Sequence, residues 1–129
     1  MTAYNIFIVD DDPHMCAIMT AWLVDAGHTV ESDTAGSTAL PRIAVLEPDA
    51  ILVDLMMAEV DGLEMISELR SKASSANSAI IMVTARTDDM WFNRAKEAGA
   101  DDYLTKPLEQ TSFVEKIQAA IAAKLARDE

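Results

Sequence analysis

The sequence predicts an α/β protein, five βα units folded around a parallel sheet. Short apolar runs of strand length alternate five times with longer segments of helical periodicity, the pattern of repeated βαβ units. Ile6-Phe7-Ile8-Val9, Ile51-Leu52-Val53 and Ile80-Ile81-Met82-Val83 are almost continuously apolar, as strands covered by helices on both faces must be. No internal repeat or low-complexity linker interrupts the series. The 129 residues suffice for one hydrophobic core but not two, so residues 1–129 form a single predicted domain, ordered over approximately 4–126.

The first strand is placed at Asn5 to Val9. Asp12 then supplies a helix N-cap and Pro13 the first helical position, where a missing N–H costs nothing. Met15, Ile18, Met19, Trp22, Leu23 and Ala26 follow at spacings of three and four along one face, and Gly27 ends the helix. Cys16 lies within this pattern and is expected to pack as a small hydrophobe. The second strand, Thr29 to Ser32, leads into a helix over Ser37 to Leu46. There Pro41 removes an early backbone bond and is expected to kink or delay the helix. The third strand is Ala50 to Val53, and residues 73–78 have the composition of an exposed loop. The fourth strand is Ile80 to Val83 and the fifth Asp102 to Leu104. The last helix carries Phe113, Ile117, Ala120, Ile121 and Leu125 on its apolar face, and its charged end, Lys124 to Glu129, is expected to fray.

Composition bounds the function. Half of the residues are apolar and a quarter charged, which is globular composition. The formal net charge of −12 argues against a nucleic-acid binder, which needs many Lys and Arg contacts to phosphates. No apolar stretch reaches the length of a bilayer span, and Met1-Thr2-Ala3-Tyr4-Asn5 lacks the charged start of a secretion signal. A single cysteine allows no internal disulfide. A cytoplasmic protein without membrane contact is expected.

The chemistry is concentrated where strands end. The first strand runs into Asp10-Asp11, the third into Asp54, the fourth into Thr84 and the fifth, after Thr105, into Lys106-Pro107. In an open α/β sheet ligands bind beyond the carboxyl ends of the strands, so these residues are expected to converge despite their separation in sequence. Three carboxylates brought together repel one another unless a cation joins them. An all-oxygen set without His or Cys suits a hard cation, and Mg²⁺ in particular is held by a few carboxylates with waters and a phosphate. Lys106 adds positive charge and Thr84 a hydroxyl for anionic oxygens. Together these are the parts of phosphoryl transfer: nucleophile, metal and preorganised charge stabilisation. Taken singly, each has a plainer reading as loop acid, strand-end threonine or surface lysine.

Six segments in order, Val9-Asp10-Asp11-Asp12, Asp54-Leu55-Met56-Met57, Asp61-Gly62, Thr84-Ala85, Gly99-Ala100-Asp101-Asp102-Tyr103-Leu104 and Lys106-Pro107, resemble the signature of the receiver domain of two-component response regulators. The intervals agree as well: Asp54 lies 44 residues after Asp10, and Thr84 and Lys106 lie 30 and 52 residues after Asp54. The resemblance covers essentially the whole chain. It implies a flavodoxin-like (βα)5 doubly wound parallel sheet with strand order 2-1-3-4-5. It also implies that Asp54 accepts a phosphoryl group from a phosphohistidine on a histidine kinase or histidine phosphotransfer protein. Asp11, Asp54 and the backbone carbonyl of Met56 would bind Mg²⁺, or Mn²⁺ in its place, with Asp10 acting largely through water. Lys106 would contact the phosphoryl group, and the Lys106–Pro107 bond is expected to be cis. Thr84 and Tyr103 would form the switch, biasing an existing equilibrium toward an active state. The family's output face implies a homodimer or effector bound through the fourth and fifth helices.

Two features stand apart from the signature. Ala58 occupies a position where the family usually carries proline, which should loosen the following loop without removing a catalytic group. Met90-Trp91-Phe92 opens the fourth helix, and successive helical residues point about 100° apart, so all three cannot face one core. Trp91 or Phe92 is then either an anchor for a partner or an isolated exposed aromatic beside a core residue. The nearest rival function, a small metal-dependent phosphohydrolase, also uses an aspartyl nucleophile, but Asp54-Leu55-Met56 lacks the second acid two residues on that serves such enzymes as acid/base. A self-phosphorylating switch with slow autodephosphorylation, tuned by Met56 and Arg86, is expected rather than a turnover enzyme.

Overall fold

The computed structural model describes residues 2–55, 57, 61–85 and 88–128. Five strands, β1 (Asn5–Val9), β2 (Thr29–Asp33), β3 (Ala50–Val53), β4 (Ala79–Thr84) and β5 (Asp102–Thr105), alternate with five helices. These are α1 (Pro13–Asp25), α2 (Gly36–Leu46), α3 (Gly62–Ser71), α4 (Asp89–Ala98) and α5 (Gln110–Asp128), with a 3₁₀ turn at Ala73–Ser75. All strand pairs are parallel and the sheet order is β2-β1-β3-β4-β5. This is the flavodoxin-like doubly wound arrangement.

The near-continuous apolar strands are explained by two cores, one on each face of the sheet. Ile6, Ile8, Ala50, Leu52, Ile81 and Val83 pack with α1 and α5 through Met19, Leu23, Phe113 and Ile117. The intervening Phe7, Val9, Ile51, Val53, Ile80 and Met82 pack with α2, α3 and α4 through Ile43, Met65, Ile66 and Ala95. Successive strand residues point to opposite faces, so each buried strand must be apolar throughout.

Helix ends follow local chemistry. The Asp12 carboxylate accepts the His14 N–H at 2.9 Å and caps α1, and Gly27, at φ 99°, takes the left-handed conformation just past its end. Asp61 caps α3 in the same way through the Leu63 N–H, at 2.8 Å.

Several local expectations differ from the structure. α2 begins at Gly36 and passes through Pro41 without a delayed start. Pro41 lies on the exposed side of the helix, where its ring displaces no core contact. On α1 the buried residues are Cys16, Met19 and Leu23, while Ile18 is exposed, because the helix is apolar around most of its circumference and its periodicity does not single out one stripe. Leu125 is likewise exposed. The segment at 73–78 is no simple exposed loop. Ser75 and Ser78 are buried, their hydroxyls donating to the carbonyls of Leu69 and Pro48, which satisfies polar groups that composition alone would assign to solvent. At its charged end α5 continues to Asp128, with Lys124 and Arg127 reaching Asp101 at 3.6 and 3.0 Å.

Candidate functional site

The order of the sheet reverses between β1 and β3, and that switch point opens a crevice at the carboxyl ends of the two strands. Asp10 and Asp11 leave β1 on one side of it, and Asp54 leaves β3 on the other. The Asp54 N–H donates to the Val9 carbonyl at 3.0 Å, carrying the β1–β3 ladder up to the site. Asp10 and Asp54 are buried and Asp11 is exposed at the mouth. Among the described residues, one carboxylate oxygen from each of the three lies within 4.8 Å of the other two.

Lys106 enters from the end of β5. Its Nζ lies 2.9 Å from Asp10 Oδ2 and 3.5 Å from Asp54 Oδ2. Burial pulls the ammonium pKa down, but the hydrogen bond and charge of Asp10 and the charge of Asp54 outweigh it, holding Lys106 above the ordinary lysine range. Strand alternation explains the convergence. One residue past the strand ends, Asp10, Asp54 and Lys106 continue the side of Ile8, Leu52 and Leu104, which is the α1/α5 face of the sheet. Thr84, the buried last residue of β4, lies on the opposite face with Met82, and its carbonyl accepts the Lys106 N–H at 2.8 Å. The Lys106–Pro107 peptide bond is cis.

Surrounding groups fix the acids. Asp10 Oδ1 accepts the Asp12 N–H at 3.0 Å, and the Cys16 thiol donates to the Asp10 carbonyl at 3.2 Å. Burial, and then the charge of Asp10, push that thiol up to about 11, so it stays protonated near neutral pH. Gly62 was part of the matched signature without an assigned role, and the structure supplies one. A Cβ there would come within 2.5 Å of the Asp54 carbonyl oxygen and 2.7 Å of Leu55 Cα, so α3 can start this close to the Asp54–Leu55 backbone only on glycine.

Met56, Ala58 and Arg86 lie outside the described residues. Tyr103 is half-buried on the α4 side of β5, its ring edge-on to Phe92 at 5.0 Å between centroids. Met90 is exposed, and Trp91 and Phe92 are half-buried, so none of the three is fully in the core. The Phe92–Tyr103 pair was not visible in the sequence, because nothing in the spacing of 11 residues marks a contact across two elements.

A doubly wound α/β domain that gathers three carboxylates and a lysine at the switch point of its sheet has the donor set for a hard cation and an anionic group. The response regulator receiver domain model matches residues 6–118. Over 117 residues, 91% of the chain, the protein is 34% identical to the DNA-binding response regulator MtrA of Mycolicibacterium smegmatis, covering 50% of that protein. It is also 34% identical, over the same share of its length, to the DNA-binding dual master transcriptional regulator RpaA of a Synechocystis species, covering 48% of it. The chain thus spans about half the length of these curated relatives. Among solved structures, Vibrio cholerae chemotaxis protein CheY4 superposes with a TM-score of 0.88 at 25% identity, covering 92% of this chain and 99% of that one. The signal receiver domain of a modulated diguanylate cyclase from Desulfovibrio desulfuricans G20 gives 0.85 at 29% identity, covering 98% and 99%. The chain belongs to the receiver domain family of two-component response regulators.

Proposed function

We propose that residues 1–129 act as one phosphoacceptor switch, in which Asp54 takes a phosphoryl group from a phosphohistidine on a histidine kinase or histidine phosphotransfer protein in the cytoplasm. The observation that carries this reading is the meeting of Asp10, Asp11 and Asp54 within 4.8 Å, with Lys106 bonded to the innermost acid. A carboxylate oxygen of Asp54 attacks phosphorus, forming an O–P bond as the donor's P–N bond breaks and its electron pair returns to the imidazole nitrogen. Lys106 sits where it can move from the carboxylates to the incoming phosphoryl oxygens, and Thr84 ends the neighbouring strand with a hydroxyl suited to the same oxygens.

The donor set fits Mg²⁺, or Mn²⁺, which Asp11, Asp54 and the carbonyl of Met56 would hold, with Asp10 acting largely through water. When bound, the cation neutralises charge that builds up on the phosphoryl oxygens. The product is a long-lived acyl phosphate and the domain a switch, not a turnover enzyme. Its output would pass through the α4–β5–α5 face to an effector or a second copy, with no direct nucleic-acid contact by this domain.

Incubation with acetyl phosphate and Mg²⁺, read by intact mass, tests the assignment. One phosphoryl group should add to the wild type and none to Asp54→Asn; an inert wild type, or equal uptake by both, sinks the reading.

A further inference from the structure

We propose that Phe92 is a positioning residue for phosphorylation: its contact with Tyr103 holds that ring at the α4–β5 surface and so sets how readily the site reaches its phosphorylated arrangement. This rests on the switch reading of Thr84 and Tyr103 given above. The two rings meet at 5.0 Å with planes 83° apart, the edge-to-face geometry that aromatic pairs favour. Lys96, one turn further along α4, places Nζ 5.5 Å from the Phe92 centroid on the solvent side and restrains that ring in turn.

The placement gives the contact leverage. Tyr103 pairs with Met82 and Thr105 with Thr84, so Tyr103 lies two residues along the same face of the sheet from the level of the buried Thr84. Ala95 is the one fully buried residue among those described in α4, whereas α1, α2 and α3 each bury three or more. A helix so lightly anchored depends more than its neighbours on its half-buried aromatic contacts. Phe92 and Tyr103 also line one surface groove between α4, β5 and α5, so the Tyr103 ring has solvent on one side and the core on the other. A contact made in one of two ring positions, and not in the other, shifts the equilibrium by its full differential energy.

Four variants of the whole chain, Phe92→Ala, Phe92→Leu, Tyr103→Ala and the double Phe92→Ala/Tyr103→Ala, should be compared with wild type. The measurements are the initial rate of phosphorylation by acetyl phosphate with Mg²⁺ and the NMR signals of the Tyr103 ring before phosphorylation. Removing the ring contact is expected to shift the Tyr103 signals and to raise the rate about threefold to tenfold. Leucine keeps the bulk should alanine unfold the helix, and is expected to change the rate in the same direction by less. The gain should vanish when Tyr103 is already alanine, which a general loosening of α4 would not produce. An unchanged rate in folded Phe92 variants, or the same gain without Tyr103, overturns the inference. A wild type that takes up no phosphoryl group fails earlier and overturns the function itself.

Discussion

Lys106 Nζ is bonded to Asp10 Oδ2 at 2.9 Å, closer than its 3.5 Å approach to Asp54. In this arrangement the lysine offsets the repulsion of the acid cluster, and Asp54 is the less tightly held of its two partners. Lys106→Ala should therefore slow phosphorylation by about tenfold to a thousandfold through loss of phosphoryl stabilisation. The same change removes a positive charge that competes with the cation. Mg²⁺ binding, followed by tryptophan fluorescence, should be as tight as in wild type or tighter; a large loss of Mg²⁺ affinity would contradict this division of roles.

Metal removal gives a second test. Lys106 supplies one positive charge against three carboxylates within 4.8 Å of one another, so a bound cation should stabilise the native state further. Free Mg²⁺ at a hundredfold over its Kd should stabilise the domain by about 2.7 kcal/mol, raising Tm by roughly 10 °C for a chain of this size. Asp11→Asn, at the exposed mouth, should abolish most of that increase without lowering the Tm measured in EDTA. An equal Mg²⁺ response in wild type and variant would exclude Asp11 as a ligand.

How far such a site can be read from sequence depends on whether strand alternation reaches the residue concerned. Asp10 and Asp54 each fall one position past a strand whose apolar pattern is continuous, so their side of the sheet follows from counting, and Lys106 shares the side of Leu104, the one buried residue of β5. The two-layer core was legible for the same reason. Contacts that join separate elements through long side chains were not. Arg70 reaches the carbonyls of Gly99, Ala76 and Ser78 as well as Asp101, and no periodicity encodes a link that depends on the reach of a guanidinium. The buried Ser75 and Ser78 were misread because a serine-rich segment looks the same whether its hydroxyls meet water or carbonyls.

That Arg70–Asp101 link, 2.7 Å long, ties α3 to the start of β5, while Asp101 also accepts the Ile80 N–H and pairs with Lys124 and Arg127 of α5. It lies at the amino ends of β4 and β5, away from the acid cluster. Asp101→Asn should cost about 2–4 kcal/mol in urea unfolding by removing the carboxylate charge that faces Arg70, Lys124 and Arg127, yet leave the phosphorylation rate within about twofold of wild type in conditions where the variant is folded. A selective loss of phosphorylation would show that the two ends of the sheet are coupled.

At the edge strand, burial pushes the Asp33 carboxyl pKa up, but hydrogen bonds from the Ala35 N–H, the Thr38 hydroxyl and Arg42 outweigh it and hold the group below its ordinary value. A depressed carboxylate contributes stability above its unfolded pKa, near 4, and loses it as pH falls through the folded value. Asp33→Asn should therefore be less stable than wild type at pH 6, with the gap narrowing toward pH 3. A gap independent of pH in chemical denaturation would remove the charge from the explanation.

Gly62 couples the fold most directly to Asp54. Its N–H donates to the Leu55 carbonyl at 3.1 Å while its Cα faces the Asp54–Leu55 peptide, where an added Cβ would meet backbone atoms at 2.5 to 2.9 Å. Backbone cannot swing aside as a flexible side chain can, so Gly62→Ala must displace either the start of α3 or the loop that carries Asp54. The expected cost is about 1–3 kcal/mol of stability, and about tenfold or more in phosphorylation rate, since misplacing a nucleophile by even about 1 Å is that costly. Gly62→Ala that unfolds and phosphorylates like wild type would mean that α3 can shift away from the acceptor without disturbing it.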